Sequence, residues 1–188
     1  MLTITAYDTH VEQLFKVVRR LAEALGPAGI PYRIVGGLAV FFHVNDREPM
    51  AARTTRDVDV LVARRDLERI AQAAKRHGFT YRHAAGVDML LDAERPKARS
   101  AVRLLFTGEK IRPEYVTPPP EFSQPSLTWE GVPLANVADL VTMKLTSFRL
   151  KDQVHIQDMD SVELITPEIE QQLSDTLRER LAQVRRSE

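Results

Sequence analysis

The chain has 188 residues with 26 basic and 26 acidic side chains, so its formal net charge at pH 7 is zero. This balance argues against a dedicated nucleic-acid or membrane-surface binder, which usually carries a basic surplus. The sequence contains no cysteine, which excludes disulfide scaffolds, thiolate zinc sites, iron–sulfur clusters and cysteine nucleophiles.

The N-terminal residues do not resemble a targeting segment. Residues 1–8 lack a basic stretch followed by a continuous apolar run, so we expect no signal peptide. The longest apolar stretch, residues 34–44, contains two glycines and a histidine, and it is far shorter than the roughly 20 residues of a transmembrane helix. We therefore expect a cytoplasmic protein with no membrane partner.

The first part of the chain is predicted to alternate between helix and strand. Apolar residues recur at three- and four-residue steps in the helices and at two-residue steps in the strand that contains Val58, Val60 and Val62. The predicted elements are a helix over residues 11–25, a strand over 32–35, helical turns over 38–43, a strand over 56–63, a helix over 66–77, and strands over 79–82, 87–91 and 101–107.

A proline-rich stretch separates this part from a helical C-terminal part. Residues 112–126 contain five prolines, which exclude a regular helix or ladder strand and predict an extended connection. A last strand is predicted over residues 131–134 and helices over 138–148 and 152–164. Another helix should begin at Thr166-Pro167, with threonine as the N-cap and proline at the first helical position.

This order of elements predicts an α+β fold, in which a small mixed β-sheet is flanked by helices and followed by a helical C-terminal extension. We predict a single domain over residues 1–188. Its core would span about residues 11–110, with the proline-rich connection at 112–126 and the helical part at about 133–185.

Two acidic residues in the predicted strand over 56–63 are candidates for a metal site. Alternate side chains of a strand point to the same face, so Asp57 and Asp59 should project together, about 6–7 Å apart. Two such carboxylates repel each other unless a cation lies between them. Mg²⁺ accepts one or two carboxylates and keeps its other positions for water and phosphate oxygens.

A glycine pair lies where the strand over 32–35 is predicted to become a helix. Because Gly36 and Gly37 have no Cβ, their N–H groups can approach a triphosphate closely, and the positive end of the following helix favours an anion. Either feature alone is usually structural, since short motifs match by chance. Together, the glycine pair and the two acids predict phosphoryl or nucleotidyl transfer.

The segments IVGGLAVFFH (residues 34–43) and ARTTRDVDVLV (residues 52–62) resemble the signature of the polymerase β-type nucleotidyltransferase superfamily. The Arg-x-Thr-x-Asp-x-Asp form of the second segment most resembles the minimal bacterial nucleotidyltransferases related to AbiEii-type toxins. The segment MKLTSFRLKD, residues 143–152, is similar to a C-terminal helical motif of that group.

The resemblance implies an enzyme that uses Mg²⁺, with Mn²⁺ as the alternative, to move an NMP group from an NTP to a hydroxyl with release of pyrophosphate. The acceptor is left open between a tRNA end, a protein and a small molecule, and a cognate antitoxin is an implied partner. By resemblance, the metal ligands and catalytic residues are Asp57 and Asp59, the nucleotide-binding residues are Gly36, Gly37, Arg53, Thr55 and Lys144, and weaker candidates for charge neutralisation are Arg149 and Lys151.

The sequence departs from this pattern at one position. The superfamily supplies a third carboxylate from a later strand, but the matching strand carries Arg103 there. Asp88 is the best substitute and is expected to reach the same face, with Asp92 and Glu109 ranked below it. Two alternatives therefore stay open: a nucleotide-binding or interaction module that is catalytically weak or inactive, and a plain structural α+β domain.

Overall fold

A computed structural model describes residues 4–94, 101–122 and 127–187, with side chains described from residue 11 onward. The chain has the α+β fold predicted from the sequence. Its elements are α1 Ile4–Leu25, β1 Tyr32–Val35, α2 Gly36–Arg47, β2 Val58–Val62, α3 Leu67–Arg76, β3 Phe79–Ala84, β4 Val87–Asp92, β5 Val102–Phe106, β6 Thr128–Trp129, β7 Val132–Pro133, α4 Val137–Ser147, α5 Leu150–Ser161, α6 Pro167–Gln172 and α7 Asp175–Arg185.

Most of the predicted elements are observed, with differences at their ends. Helix α2 begins at Gly36 itself and is longer than expected. Helix α5 ends at Ser161, where Glu163 takes a left-handed backbone conformation that a helix cannot continue. The strand predicted at residues 131–134 is half of a separate hairpin, β6–β7. Residues 112–122 form neither helix nor strand, as the prolines require, while 123–126 of that stretch lie outside the described residues.

The main sheet has five strands in the order β1-β2-β5-β4-β3. Strands β2 and β5 are parallel, and the other neighbouring pairs are antiparallel. Asp59 pairs with Val35 of β1 on one side and with Arg103 of β5 on the other. Because paired residues share a face of the sheet, Asp59 and Arg103 project to the same side.

The opposite face of the sheet forms the hydrophobic core. Val58, Val60 and Val62 are at most 2% exposed, as the two-residue alternation predicts. Helix α1 covers this face: its Arg20 guanidinium lies over the Phe79 ring, 4.2 Å from the centroid, and α1 also contacts α3. Asp59 of β2 is therefore left on the side that faces away from α1. Asp57 lies just before β2, which begins at Val58 rather than at residue 56, and is linked to Asp59 through Arg103.

The C-terminal helices bring a second set of side chains toward the start of α2. Helices α4 and α5 both pack against α2, and α7 packs against both of them. Phe148, with φ near 50°, ends α4 and turns the chain into α5. Among the described helices, none is both long enough and apolar enough to cross a membrane.

An aromatic cluster joins the small hairpin to α1 and α2. The Trp129 ring stacks on Phe42 with 4.8 Å between centroids and lies 4.7 Å from the Phe15 ring. Arg19 adds its guanidinium 5.0 Å from the Trp129 centroid. This cluster anchors the chain just before it enters α4.

The end of α4 depends on a side chain from α7. Arg180 Nη1 donates to the carbonyl oxygens of Leu145 (2.7 Å) and Thr146 (2.9 Å). We expect Arg180→Ala to lower the free energy of unfolding by about 1–3 kcal/mol, because these carbonyls lose their donor. Urea unfolding followed by circular dichroism measures the loss. The control Glu179→Ala, an exposed position on the same helix, should change it by less than about 0.5 kcal/mol; an equal loss in both variants would contradict this role.

Candidate active site

The bend from β1 into α2 lies directly against the Asp59 carboxylate. Gly36 has φ +70°, and a Cβ built on it would collide with Oδ2 and Cγ of Asp59. An L-residue with a side chain is disfavoured there both by its backbone conformation and by this contact. The acid from β2 and the glycine bend, 23 residues apart in the chain, therefore form one surface.

The second glycine, Gly37, is also closely surrounded by other residues. A Cβ on Gly37 would lie 3.0 Å from Thr55 Oγ1 and 3.1 Å from His155 Cε1. The residue before α2, Val35, provides no side-chain cap to this helix. The first-turn N–H groups of α2 therefore have no side-chain partner from the capping position, and they carry the positive end of the helix dipole.

Asp57 and Asp59 are held by cations that come from β5 and α5. Arg103 Nε donates to Asp59 Oδ1 at 2.6 Å, and Arg103 Nη2 lies 3.2 Å from Asp57 Oδ2. Lys151 Nζ donates to the same Asp57 oxygen at 3.1 Å. One guanidinium thus links the two carboxylates that the sequence places on one face.

The two acids have different electrostatic surroundings. Burial raises the pKa of Asp59 above its usual value, and the nearby Arg103 only partly opposes this effect. For Asp57, whose side chain is 37% exposed, burial also acts to raise the pKa, but Arg103 and Lys151 outweigh it and the pKa is lowered.

A fully buried carboxylate organises two cations of the C-terminal part. Asp152 is 0% exposed and binds Lys144 Nζ at 3.1 Å, Arg149 Nε at 2.7 Å and Ser147 Oγ at 2.8 Å. Burial alone would raise the pKa of Asp152, but Arg149 and Lys144 bring it down to about 2. Burial lowers the pKa of Lys144 despite this partner.

His155 lies between this network and the glycine bend. Its ring is buried, and Nδ1 has no hydrogen-bond partner among the residues that the structure describes. Burial, followed by the positive charges of Lys144 and Lys151, lowers the pKa of His155 to about 3. The ring is therefore neutral at physiological pH.

These residues border a cleft of about 510 Å³, a volume typical of small-molecule sites. Among the residues that line it are Gly36, Asp59 and Arg103 from the sheet side of the site and Lys144, Arg149 and Asp152 from the C-terminal helices and the turn between them. The cleft continues along β5 to Arg64 and Glu109, which form an ion pair at 2.7 Å. Asp57 is joined to the cleft through Arg103.

Asp88 lines the far part of the cleft but not the face of Asp57 and Asp59. It pairs with Leu104 across β4 and β5, whereas Arg103 pairs with Met89. The expectation that Asp88 shares the face of the two acids is therefore wrong, because the register turns it to the opposite side of the sheet.

Other groups already hold the remaining candidate acids. Asp88 accepts hydrogen bonds from Tyr81, His83 Nδ1 and Arg64; burial would raise its pKa, but these donors outweigh it and the pKa is lowered. Glu109 is paired with Arg64 and Asp92 with Arg20.

The other two predicted nucleotide ligands hold the loop that leads to Asp57. Arg53 Nε donates to Asp158 Oδ1 at 2.8 Å, and the buried Thr55 accepts the Asp57 N–H through Oγ1 at 3.4 Å. Neither side chain lines the cleft. The placement supports a positioning role for Arg53 and Thr55 rather than direct contact with a nucleotide.

The donor set suits one divalent ion. Within the described ranges, no group of three or more His, Cys, Asp or Glu residues is arranged to hold a metal. Asp57 Oδ1 and Asp59 Oδ2 accept no hydrogen bond from the described residues, so each carboxylate keeps one oxygen uncommitted. Mg²⁺ needs only one or two carboxylates when phosphates and water complete its shell.

Sequence reasoning did not anticipate three of these features. Asp152 is the last residue of the recognised helical motif and His155 follows it, but their burial depends on how α5 packs against α2. In the sequence Arg103 stands out only as a departure from the expected acid, whereas the structure makes it the partner of both Asp57 and Asp59. The pairing of β2 with β5 was the missing information, because it brings position 103 opposite position 59.

Comparison with known proteins finds a match in structure but not in sequence. No protein-family model matches the chain, and neither does any curated protein. A crystal structure of ANT(2")-Ia in complex with adenylyl-2"-tobramycin aligns with a TM-score of 0.52 and 12% identity over 92% of this chain and 97% of that one. A solution structure of the antibiotic-resistance factor ANT(2'')-Ia aligns with a TM-score of 0.48 and 12% identity over 95% and 85%.

The crystal-structure alignment shows that the chain shares the overall fold of ANT(2")-Ia. At 12% identity the likeness shows the fold alone. The closer resemblance to the AbiEii-related group stays a prediction.

The contact between Gly36 and Asp59 can be tested by adding a single methyl group. Both substitutions should lower the free energy of unfolding. We expect the decrease to be about 1–3 kcal/mol larger for Gly36→Ala than for Gly29→Ala, because the new Cβ at position 36 collides with Asp59. Gly29 also has a left-handed backbone, φ +61°, but its Cβ would meet nothing within 4 Å. Urea unfolding of both variants separates the collision from the backbone strain, and equal losses would contradict the close contact.

The buried His155 should make stability depend on pH. Between its ordinary pKa of 6.5 and its folded value of about 3, the unfolded chain takes up a proton that the folded chain does not. Stability should therefore fall as the pH drops below about 6.5, by up to about 1.4 kcal/mol per pH unit from this group. Unfolding free energies at pH 7, 6 and 5 should show a smaller fall in His155→Gln than in the wild type; parallel curves would refute the assignment.

Proposed function

We propose that this protein is a divalent-metal-dependent nucleotidyltransferase that moves an NMP group from an NTP to a hydroxyl of an acceptor, with release of pyrophosphate. The observation that carries the proposal is the position of Asp59 against the Gly36 bend, at one end of the cleft, with Asp57 joined to it through Arg103. The shared nucleotidyltransferase fold is consistent with this activity.

The start of α2 and the cations that line the cleft suit a triphosphate. The first-turn N–H groups and the glycine bend offer close approach to phosphate oxygens. Lys144 and Arg149 also line the cleft, and Asp152 holds both cations in place. Charge-assisted bonds from such fixed cations are stronger than those between neutral groups.

Asp57 and Asp59 would hold the metal ion through their uncommitted oxygens. When bound, a divalent ion supplies Lewis-acid stabilisation of the charge that develops at the α-phosphate. The chain keeps the two carboxylates together through Arg103, and the Thr55 hydroxyl holds the backbone of Asp57.

The reaction is an in-line displacement at the α-phosphorus. The acceptor oxygen forms a bond to that phosphorus while the bond to the bridging oxygen of pyrophosphate breaks, and the hydroxyl proton leaves to solvent. Lys144, Arg149 and Lys151 offset the negative charge of the reacting phosphates. Electrostatic stabilisation by pre-positioned groups of this kind is usually the largest single contribution to such catalysis.

A small hydroxyl compound is the first acceptor class to test. The crystal-structure neighbour, ANT(2")-Ia, was crystallised with a small molecule that carries an adenylyl group. The remainder of the cleft, toward Arg64 and Glu109, offers space beyond the proposed phosphate end. A protein hydroxyl, a tRNA end and a cognate antitoxin stay predictions from resemblance.

A second candidate function is nucleotide binding without turnover. It is favoured by Arg103, which stands where a third carboxylate was expected and engages both remaining acids. Thermal-shift titrations with ATP, GTP, CTP and UTP, each with and without Mg²⁺ or Mn²⁺, distinguish the two functions when combined with a pyrophosphate assay over an acceptor panel. Metal-dependent binding with pyrophosphate release supports the transferase, and metal-independent binding without release supports the module.

Removing either carboxylate charge should abolish transfer without unfolding the protein. We expect Asp57→Asn and Asp59→Asn to lower pyrophosphate release at least about 100-fold, because each loses a charged ligand at the reacting phosphate. The control Asp46→Asn changes an exposed acid at the far end of α2 and should retain wild-type release. Full release in both site variants, with matched circular dichroism spectra, would refute the assignment.

A further inference from the structure

The strand β5 places a permanent cation where a metal ligand would otherwise stand. Arg103 lies directly opposite Asp59 in the parallel pair β2–β5. An arginine side chain carries a positive charge and only N–H donors, so unlike a carboxylate it cannot coordinate a metal ion. Within the described residues, no third acid joins Asp57 and Asp59 in a metal-binding group.

The contacts of Arg103 divide the four carboxylate oxygens into two pairs. One pair, Asp59 Oδ1 and Asp57 Oδ2, faces the guanidinium at 2.6 Å and 3.2 Å. The other pair, Asp59 Oδ2 and Asp57 Oδ1, accepts no hydrogen bond from the described residues, and its Asp59 member faces the Gly36 bend. Only one pair is open to a metal ion while Arg103 keeps its contacts.

The charge at position 103 also indicates a single divalent ion. Two-metal sites clamp the attacking and leaving oxygens of a displacement between two divalent ions. An arginine in place of a third carboxylate adds two units of positive charge, which is the charge of one divalent ion. A site with two carboxylates, one guanidinium and one ion therefore has the net charge of a site with three carboxylates and two ions.

From these observations we infer that Arg103 takes the place of a second metal ion, so that the protein binds a single divalent ion with each nucleotide. This inference rests on the proposed function and specifies the composition of its site. The guanidinium cross-links Asp57 and Asp59 and supplies fixed positive charge beside the reacting phosphate. Replacing Arg103 with an acidic residue should create a binding position for a second divalent ion.

The number of bound ions tests this inference directly. The full chain is saturated with a non-hydrolysable NTP analogue, and bound Mn²⁺ is counted by electron paramagnetic resonance of the free ion. We expect one Mn²⁺ per bound nucleotide in the wild type and in Arg103→Lys, which retains the charge, and two in Arg103→Asp. Arg82→Asp, which makes the same charge change at an exposed position on the same face of the sheet, should bind one.

The wild-type count does not depend on whether a variant folds. Two Mn²⁺ ions per nucleotide in the wild type would overturn the inference and leave the proposed function standing. A folded Arg103→Asp protein that binds one ion would also overturn it. Absence of any metal-dependent nucleotide binding in the wild type would instead overturn the proposed function, and this inference with it.

Discussion

The candidate site depends on the missing side chain at Gly36. Because no Cβ projects from this residue, the Asp59 carboxylate can rest against the turn that starts α2. That contact brings a negative oxygen and the positive end of a helix to one point, two features that both interact favourably with a metal–phosphate group. The sheet register and the helix packing place the other residues of the site around this contact.

Charge compensation is the second organising feature. Asp57 and Asp59 are balanced by cations from β5 and α5, and Lys144 and Arg149 are balanced by the buried Asp152. Breaking a buried pair is costly because it leaves the remaining charge without a partner. The two networks therefore hold charged side chains in fixed positions before any ligand arrives, which is the arrangement that electrostatic catalysis requires.

Local sequence patterns sufficed for the parts of the site that lie on one element. The alternation in β2 predicted that its valines are buried on one face and Asp59 lies on the other, and the glycine pair marked the start of α2. Residues whose position depends on pairing between distant strands were not accessible in this way. The role of Arg103 and the face of Asp88 both follow from the register of β5 with its neighbours, which no local pattern encodes.

The aromatic cluster has a practical consequence. Trp129 is the single tryptophan of the sequence, and it stacks on Phe42 of the helix that Gly36 begins. The intrinsic fluorescence of Trp129 therefore reports on the packing of that helix without any added label. Separation of the indole from its aromatic neighbours would expose it to water and shift its emission to longer wavelength, which makes the integrity of the glycine bend observable in dilute solution.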